Sequence, residues 1–169
     1  MPPIRVESLR VEHLPRLAAV LRHEAVYEHI GGEVPSLDDF VLGLGRALAG
    51  PPPSRPRERW LNYLLCDAHT GRMVGRLEAT VVPGRAEVAF LVDPALWGRG
   101  YARAGLAWLH DEVVRVAGVV EFWATTVPAN TRCQALLRRS GYAEVAPASA
   151  PALASYEPGD LVFRRRAAA

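Results

Sequence analysis

Residues 97–102, Trp97-Gly98-Arg99-Gly100-Tyr101-Ala102, separate an apolar run ending at Val92 from a helix-like stretch that begins at once. A helix start leaves backbone N–H groups unpaired and carries partial positive charge, and glycine lets that backbone approach a ligand, so the segment suits a diphosphate. Upstream, Glu87 opens the apolar run, and strand alternation puts it on one face with Ala89 and Leu91. A carboxylate in that position can act as a general base, directly or through water. Beside Arg85 it can equally be a solvated strand-start group, and Glu78 on the preceding strand is the second candidate. Downstream, Asn130 precedes another helix-like stretch, where Asn is a preferred N-cap. Cys133, one turn later, could donate a hydrogen bond to a departing sulfur, although a helical Cys more often packs than reacts.

Two nucleotide readings of the glycine segment fail. The P-loop needs GxxxxGK[ST], and the chain has no Lys at all, so neither that loop nor a Schiff-base mechanism is available. The dinucleotide pattern G-x-G-x-x-G starts with Gly98 and Gly100 but meets Arg103 at its third glycine, where a bulky side chain would obstruct close helix–strand packing. Glu121, at about the distance where that pattern places its acidic residue, opens a strand rather than ending one.

The rest of the composition narrows the field. "HEAVYEH" at 23–29 fails HExxH because Tyr27 stands in for the second His, and the spacing of His23 and His29 puts them on different helix faces. No metal is expected there; these residues flank an acceptor groove or face water. Cys66 and Cys133 are the only cysteines, which suggests neither a disulfide framework nor a cysteine zinc site. A net charge of +2 gives no argument for nucleic acid. No apolar run approaches the ~20 residues that a membrane helix needs, and the N-terminus lacks the pattern of a signal peptide. The expectation is a cytoplasmic protein with no membrane partner.

The elements that must position these groups form one α/β domain over 1–169. Strands are expected near 4–11, 59–66, 73–82, 86–92, 119–126, 142–146 and 160–166. The turn signals His69-Thr70-Gly71 and Pro83-Gly84 join the second to fourth as a meander. Helices are expected over 14–29, over 36–50 with Ser36 as N-cap and Asp39 close to a capping box, and from the glycine segment to about Ala117. In the last of these, Leu106, Leu109, Val113 and Val116 form one apolar face. A further helix within 129–142 is closed by Gly141.

"AEVAFLVDPALWGRGYARAGLAWL" resembles the central motif of the GNAT superfamily of N-acyltransferases, whose core is Q/R-x-x-G-x-G/A. Trp97 departs from its first position, but "WGRGYA" is similar to the branch that acetylates ribosomal-protein N-termini. "NTRCQALLRRSGY" resembles the second family motif, with Cys133 in place of Ser. The likeness covers nearly the whole chain. It implies a central mixed, mostly antiparallel sheet of about seven strands, splayed after the fourth, with flanking helices and acetyl-CoA wedged into the gap.

On that resemblance, pantetheine pairs with backbone at Leu91 and Val92, and the diphosphate sits on the N–H groups from Trp97 to Ala102. Asn130 adds a coenzyme contact, the Val92 N–H is the oxyanion donor, and Glu87 accepts the amine proton. Arg99, Arg103 and Arg132 are candidates for the phosphates. The Tyr acid that many relatives carry seven residues after the Asn is absent, since Leu137 stands there. A thiol of pKa ~8.5 leaves acceptably as thiolate. The implied acceptor is a primary amine, the N-terminal α-amine of a peptide or protein, with aminoglycosides and polyamines as the alternative. A non-catalytic acyl-CoA-binding regulator is the rival from another class. The 13–49 helices, the proline loop 51–57 and the loop 147–159 would frame the acceptor. Monomer and homodimer both stay open.

Overall fold

The computed structural model describes residues 1–168. Its seven strands form one sheet in the order β1-β2-β3-β4-β5-β7-β6. These are β1 (Ile4–Ser8), β2 (Arg59–Asp67), β3 (Met73–Val82), β4 (Arg85–Val92), β5 (Glu121–Thr126), β6 (Ala143–Val145) and β7 (Leu161–Arg166). Every neighbouring pair is antiparallel except β4 and β5. The helices are α1 (Leu14–Leu21), α2 (Glu24–Tyr27), α3 (Leu37–Ala49), α4 (Tyr101–Ala117) and α5 (Thr131–Arg139). No helix is long and apolar enough to cross a membrane among the described residues.

The expected helix over 14–29 is two. Its apolar face, Leu14, Leu17 and Leu21, is fully buried. The chain then leaves helical geometry at Arg22 and His23, and the extended His23 restarts it by accepting the N–H of Ala25 on Nδ1. The strand expected over 4–11 ends at Ser8, before a 3₁₀ turn at Val11–His13. Other local signals hold. Ser36 caps α3 by accepting the Asp39 N–H at 3.1 Å and donating its hydroxyl to the Asp39 carboxylate at 2.8 Å. α5 closes with Gly141 at φ +84°, the Tyr142 N–H reaching Leu137 and the Gly141 N–H reaching Arg138, the paired bonds of a Schellman stop.

Each sheet face carries its own core. Leu106, Leu109 and Val113 of α4 and Leu137 of α5 pack on Leu65, Leu77, Ala86, Val88, Phe122 and Phe163. Gly105 lets α4 sit close, since a Cβ there would lie 3.0 Å from Leu77 Cδ2 and 3.2 Å from Leu65 Cδ2. The close-packing glycine therefore stands two positions after Arg103, and Arg103 itself is exposed. On the other face Leu14, Leu17, Leu21, Phe40 and Leu44 cover Leu64, Cys66 and Met73.

The sheet opens in one place. β4 and β5 pair only through Arg85↔Glu121, Ala86↔Phe122 and Glu87↔Trp123. Beyond these, Val88–Val92 stays with β3 while Ala124–Thr126 stays with β7. Two parallel strands diverge, each held by its outer neighbour, and the gap between them faces the start of α4.

Candidate active site

The gap widens into a cavity of about 800 Å³, within the roughly 300–1,000 Å³ of ligand pockets. Val88 to Val92 form one wall and Ala124 to Val127 the other, while the glycine segment and the α5 residues Arg132, Cys133, Leu136 and Arg139 close two more sides. Ala25–Gly31 and the Ser155–Asp160 stretch supply the rest.

Backbone phase decides what β4 offers to the gap. The Asp93 N–H donates to Val74 at 2.8 Å, which makes that pair a hydrogen-bonded one. Antiparallel alternation and the observed register then turn the N–H and C=O of Leu91 towards Arg76 on β3 and those of Phe90 and Val92 into the gap. Leu91, expected to pair with pantetheine through its backbone, lines the cavity, while on this alternation its N–H and C=O face β3. Phe90 takes its place beside Val92. The Val92 carbonyl is occupied by the Trp97 indole N–H at 2.8 Å, so its N–H is the group left for a ligand.

The glycine segment divides in the same way. The Trp97 N–H turns back to Pro94 at 3.2 Å and the Arg99 N–H to Leu96 at 3.3 Å. Among the described residues, the N–H groups of Gly98, Gly100, Tyr101, Ala102 and Arg103 have no backbone partner at this helix start. Gly98 at φ +77° and Gly100 at φ +88° supply the left-handed backbone that exposes them. Five free donors at the head of α4 suit a diphosphate. Arg132 stacks its guanidinium 4.1 Å over the Trp97 ring, and Arg103 and Arg139 also line the cavity, whereas Arg99 is exposed and does not.

Two polar struts hold this segment from the β2–β3 turn. The Tyr101 hydroxyl donates to Asp67, whose other contacts are the N–H groups of His69 and Thr70 and the Thr70 hydroxyl. These bonds, that from Tyr101 first, pull the Asp67 carboxyl down to about 2. Arg72 reaches the Asp93 carboxylate at 2.6 Å, and Asp93 in turn accepts the Ala95 N–H at 2.9 Å.

Asn130 caps α5 by accepting the Cys133 N–H at 3.1 Å and lines the cavity. Cys133 lines it too; burial pushes its thiol up, against a smaller opposing bond with Thr126. A protonated, buried thiol is a hydrogen-bond donor, not a nucleophile. Leu137 is fully buried in the core.

Glu87 stands behind the cavity wall. Its Oε2 accepts the Ala154 N–H at 2.8 Å, and its Oε1 accepts the Ser155 N–H at 3.0 Å and the Ser155 hydroxyl at 2.7 Å. Ser155 does line the cavity, as does Thr125 of β5, 2.8 Å from it between hydroxyl oxygens. Glu78 pairs with Arg76 and lines a separate recess of about 180 Å³ beside Trp60 and Asn62. Of the expected acceptor frame, the 25–31 and 155–160 segments line the cavity and the proline loop and α3 do not. His29, Glu28, Glu157 and Asp160 come with those two segments.

The sequence did not point to Phe90, Ser155, Thr125 or Arg139. Phe90 is recoverable from strand alternation once its phase is known. Ser155 lies in an Ala/Pro/Ser-rich loop with no local signal.

A sheet split between parallel strands, beside an unpaired helix start, defines a slot for an extended ligand with a phosphate end. The acetyltransferase (GNAT) domain family matches residues 4–143, and the chain belongs to that family. It is an acetyl-CoA-dependent N-acetyltransferase. No curated protein sequence matches it.

Solved structures share the fold. One is the acetyl transferase from Salmonella typhimurium that modifies the N-terminal serine of 50S ribosomal subunit protein L7/L12, at TM-score 0.77 and 18% identity over 98% of this chain and 96% of that one. Another is spermidine N-acetyltransferase from Vibrio cholerae in complex with CoA and spermine, at 0.74 and 13% over 97% and 95%. A third is the aminoglycoside acetyltransferase AAC(6')-Ib with acetyl-CoA, at 0.74 and 15% over 97% and 93%. At these identities the likeness speaks for the fold and not for the acceptor.

Proposed function

We propose that this chain transfers the acetyl group of acetyl-CoA to a primary amine, the N-terminal α-amine of a peptide before others, by direct attack without a covalent enzyme intermediate. The observation that carries the reading is the alignment of free backbone groups: Phe90 and Val92 along the gap, then Gly98, Gly100, Tyr101 and Ala102 at the head of α4. Pantetheine extends β4 as an added strand, and the diphosphate lies on the glycine segment, with Arg103 and Arg132 beside it. Asn130 retains two amide hydrogens for the coenzyme while its oxygen caps α5. Of the two free N–H groups, that of Val92, nearer the glycine segment, pairs with pantetheine, and that of Phe90, nearer Glu87 and the point where the strands part, meets the oxyanion that forms at the thioester carbonyl. The carboxylate of Glu87 receives the amine proton, and the Cys133 thiol stands ready to donate to the departing sulfur.

An α-amine favours this site on acidity. Its free pKa of ~7.7–8 leaves a useful neutral fraction at physiological pH, whereas a Lys side chain near 10.4 is almost wholly protonated. The second reading, a polyamine or aminoglycoside acceptor, draws on Glu28, Glu157 and Asp160, acidic residues that line the same cavity and complement extra positive charge. Among the solved structures of this fold are enzymes named for both kinds of substrate.

Thiol release from acetyl-CoA tests the reading, with a peptide bearing a free N-terminus, the same peptide N-blocked with an internal Lys, spermidine, and an aminoglycoside as acceptors. The free peptide is expected to be fastest. Equal rates for the two peptides, or turnover of the small amines alone, overturn the acceptor; no release with any amine overturns the transfer itself.

A further inference from the structure

We propose that Ser155 is a catalytic residue of this transfer, the group that takes the proton from the attacking amine and hands its own proton to Glu87. The inference rests on the amine-acetylation reading above. Glu87, the strand-start carboxylate, does not reach the cavity surface, while Ser155 does. All of the contact between them is in place: the Ser155 hydroxyl donates to Oε1 at 2.7 Å, and backbone N–H groups of Ala154 and Ser155 fix both carboxylate oxygens at 2.8 and 3.0 Å.

A serine hydroxyl has one hydrogen and two lone pairs. The hydrogen points to Glu87. Thr125, with its hydroxyl oxygen 2.8 Å away, occupies at most one lone pair by donating to it. The remaining lone pair takes no other hydrogen bond among the described residues, and Ser155 lines the cavity.

The step balances without a further reagent. The amine nitrogen bonds to the thioester carbon and becomes cationic. One N–H proton passes to the Ser155 oxygen as the Ser155 proton passes to the Glu87 carboxylate. The C–S bond then breaks, and its electron pair leaves on the coenzyme sulfur. The protonated Glu87 returns its proton through Ser155 when products depart. The chain Glu87–Ser155–Thr125 spans β4, the 147–160 loop and β5 at the place where the two strands part, so the relay is assembled only when the loop is seated.

Ser155→Ala tests this without unseating the loop, because the two backbone bonds to Glu87 remain. With the fastest acceptor of the panel above, Ser155→Ala is expected to lower kcat by ~10²-fold, the usual scale for losing a proton-transfer group, with KM for acetyl-CoA unchanged. Ser155→Thr, which keeps a hydroxyl, is expected to restore most of the rate. Residues acting as one unit are not additive, so Glu87→Gln/Ser155→Ala should be no slower than Glu87→Gln alone. Wild-type kcat in Ser155→Ala, failure of Ser155→Thr to rescue, or additive losses in the double variant overturns the relay. If Ser155→Ala is silent while Glu87→Gln is slow, the relay falls and the carboxylate base stands. If Glu87→Gln is silent, both fall.

Discussion

Trp97 and Val92 are tied across the mouth of the gap: the indole N–H donates to the Val92 carbonyl at 2.8 Å. The bond joins the first residue of the glycine segment to the last residue of β4. It also satisfies an acceptor that strand geometry would otherwise leave facing the ligand slot. Trp97→Phe keeps an aromatic face for Arg132 and removes only the donor. One such bond contributes ~1 kcal/mol net, equivalent to roughly fivefold in an equilibrium constant. The dissociation constant for acetyl-CoA should rise by about that factor with kcat little changed. Calorimetric titration checks it, and an unaltered constant would mean that the tie does not position Val92.

Gly75 faces the same strand from β3, and a Cβ there would lie 2.0 Å from the Leu91 carbonyl oxygen. Backbone cannot swing aside as a side chain can. Gly75→Ala should therefore push β3 from β4 beside the gap, costing ~1–3 kcal/mol as overpacking does, and weaken coenzyme binding as well. Gly105→Ala is the control, since its nearest neighbours are the flexible ends of Leu77 and Leu65. Urea unfolding should find Gly75→Ala the less stable of the two; the reverse order would show that the strands yield easily.

What could be read in the sequence was local. Ser36, Asn130 and Gly141 mark helix ends through their own backbone chemistry, and all three do so in the structure. Gly98 and Gly100 announce a backbone that must expose its N–H groups. The turn residues between β2, β3 and β4 fixed the meander. What was illegible was relational. Whether Leu91 or Phe90 faces the gap depends on which partner strand takes the other set of hydrogen bonds, and no residue type encodes that phase. The anchoring of Ser155 on Glu87 joins positions far apart in sequence. The break at Arg22-His23 lacks Pro or Gly, so apolar spacing reads straight through it. The proline loop, expected as part of the acceptor frame, lies off the cavity, because which side of the sheet a loop closes over is set by the packing of its flanking elements and not by its own residues.

Gly100 has φ +88° at the head of α4, and a Cβ there would also meet Pro2 Cδ at 3.1 Å. Gly100→Val is strained in backbone and crowded against Pro2, so it should distort the backbone that exposes the N–H groups. A ligand that binds only the native state adds ~2.7 kcal/mol of stability at a hundredfold excess over its dissociation constant. Acetyl-CoA should raise the melting temperature of the wild type, NAD(H) and NADP(H) should not, and Gly100→Val should lose the acetyl-CoA shift. A shift with the dinucleotides instead would return the glycine segment to the reading that Arg103 argues against.

His110 and Tyr142 form a buried pair, ring Nε2 and hydroxyl oxygen 2.7 Å apart, with the imidazole also against Phe122 at 4.6 Å between ring centres. Burial, aided by the positive charge of Arg165, drops the imidazole to about 3. Burial likewise pushes the Tyr142 hydroxyl up, so the pair is neutral throughout the physiological range. An unfolded His titrates near 6.5, so between that value and about 3 the unfolded chain binds the extra proton and the native chain refuses it. Stability from this site is thus fully present above the unfolded value and is lost as pH falls towards the folded one. The slope for one such proton is at most ~1.4 kcal/mol per pH unit. Replacing both partners, His110→Phe/Tyr142→Phe, removes the titration without leaving a polar group unpaired. Unfolding free energies in urea from about pH 7.5 down to about pH 4.5 should fall more steeply for the wild type than for the double variant, by roughly that single-proton slope. Parallel curves would mean that His110 is protonated in the native state, and that the buried pair is not the neutral one its surroundings require.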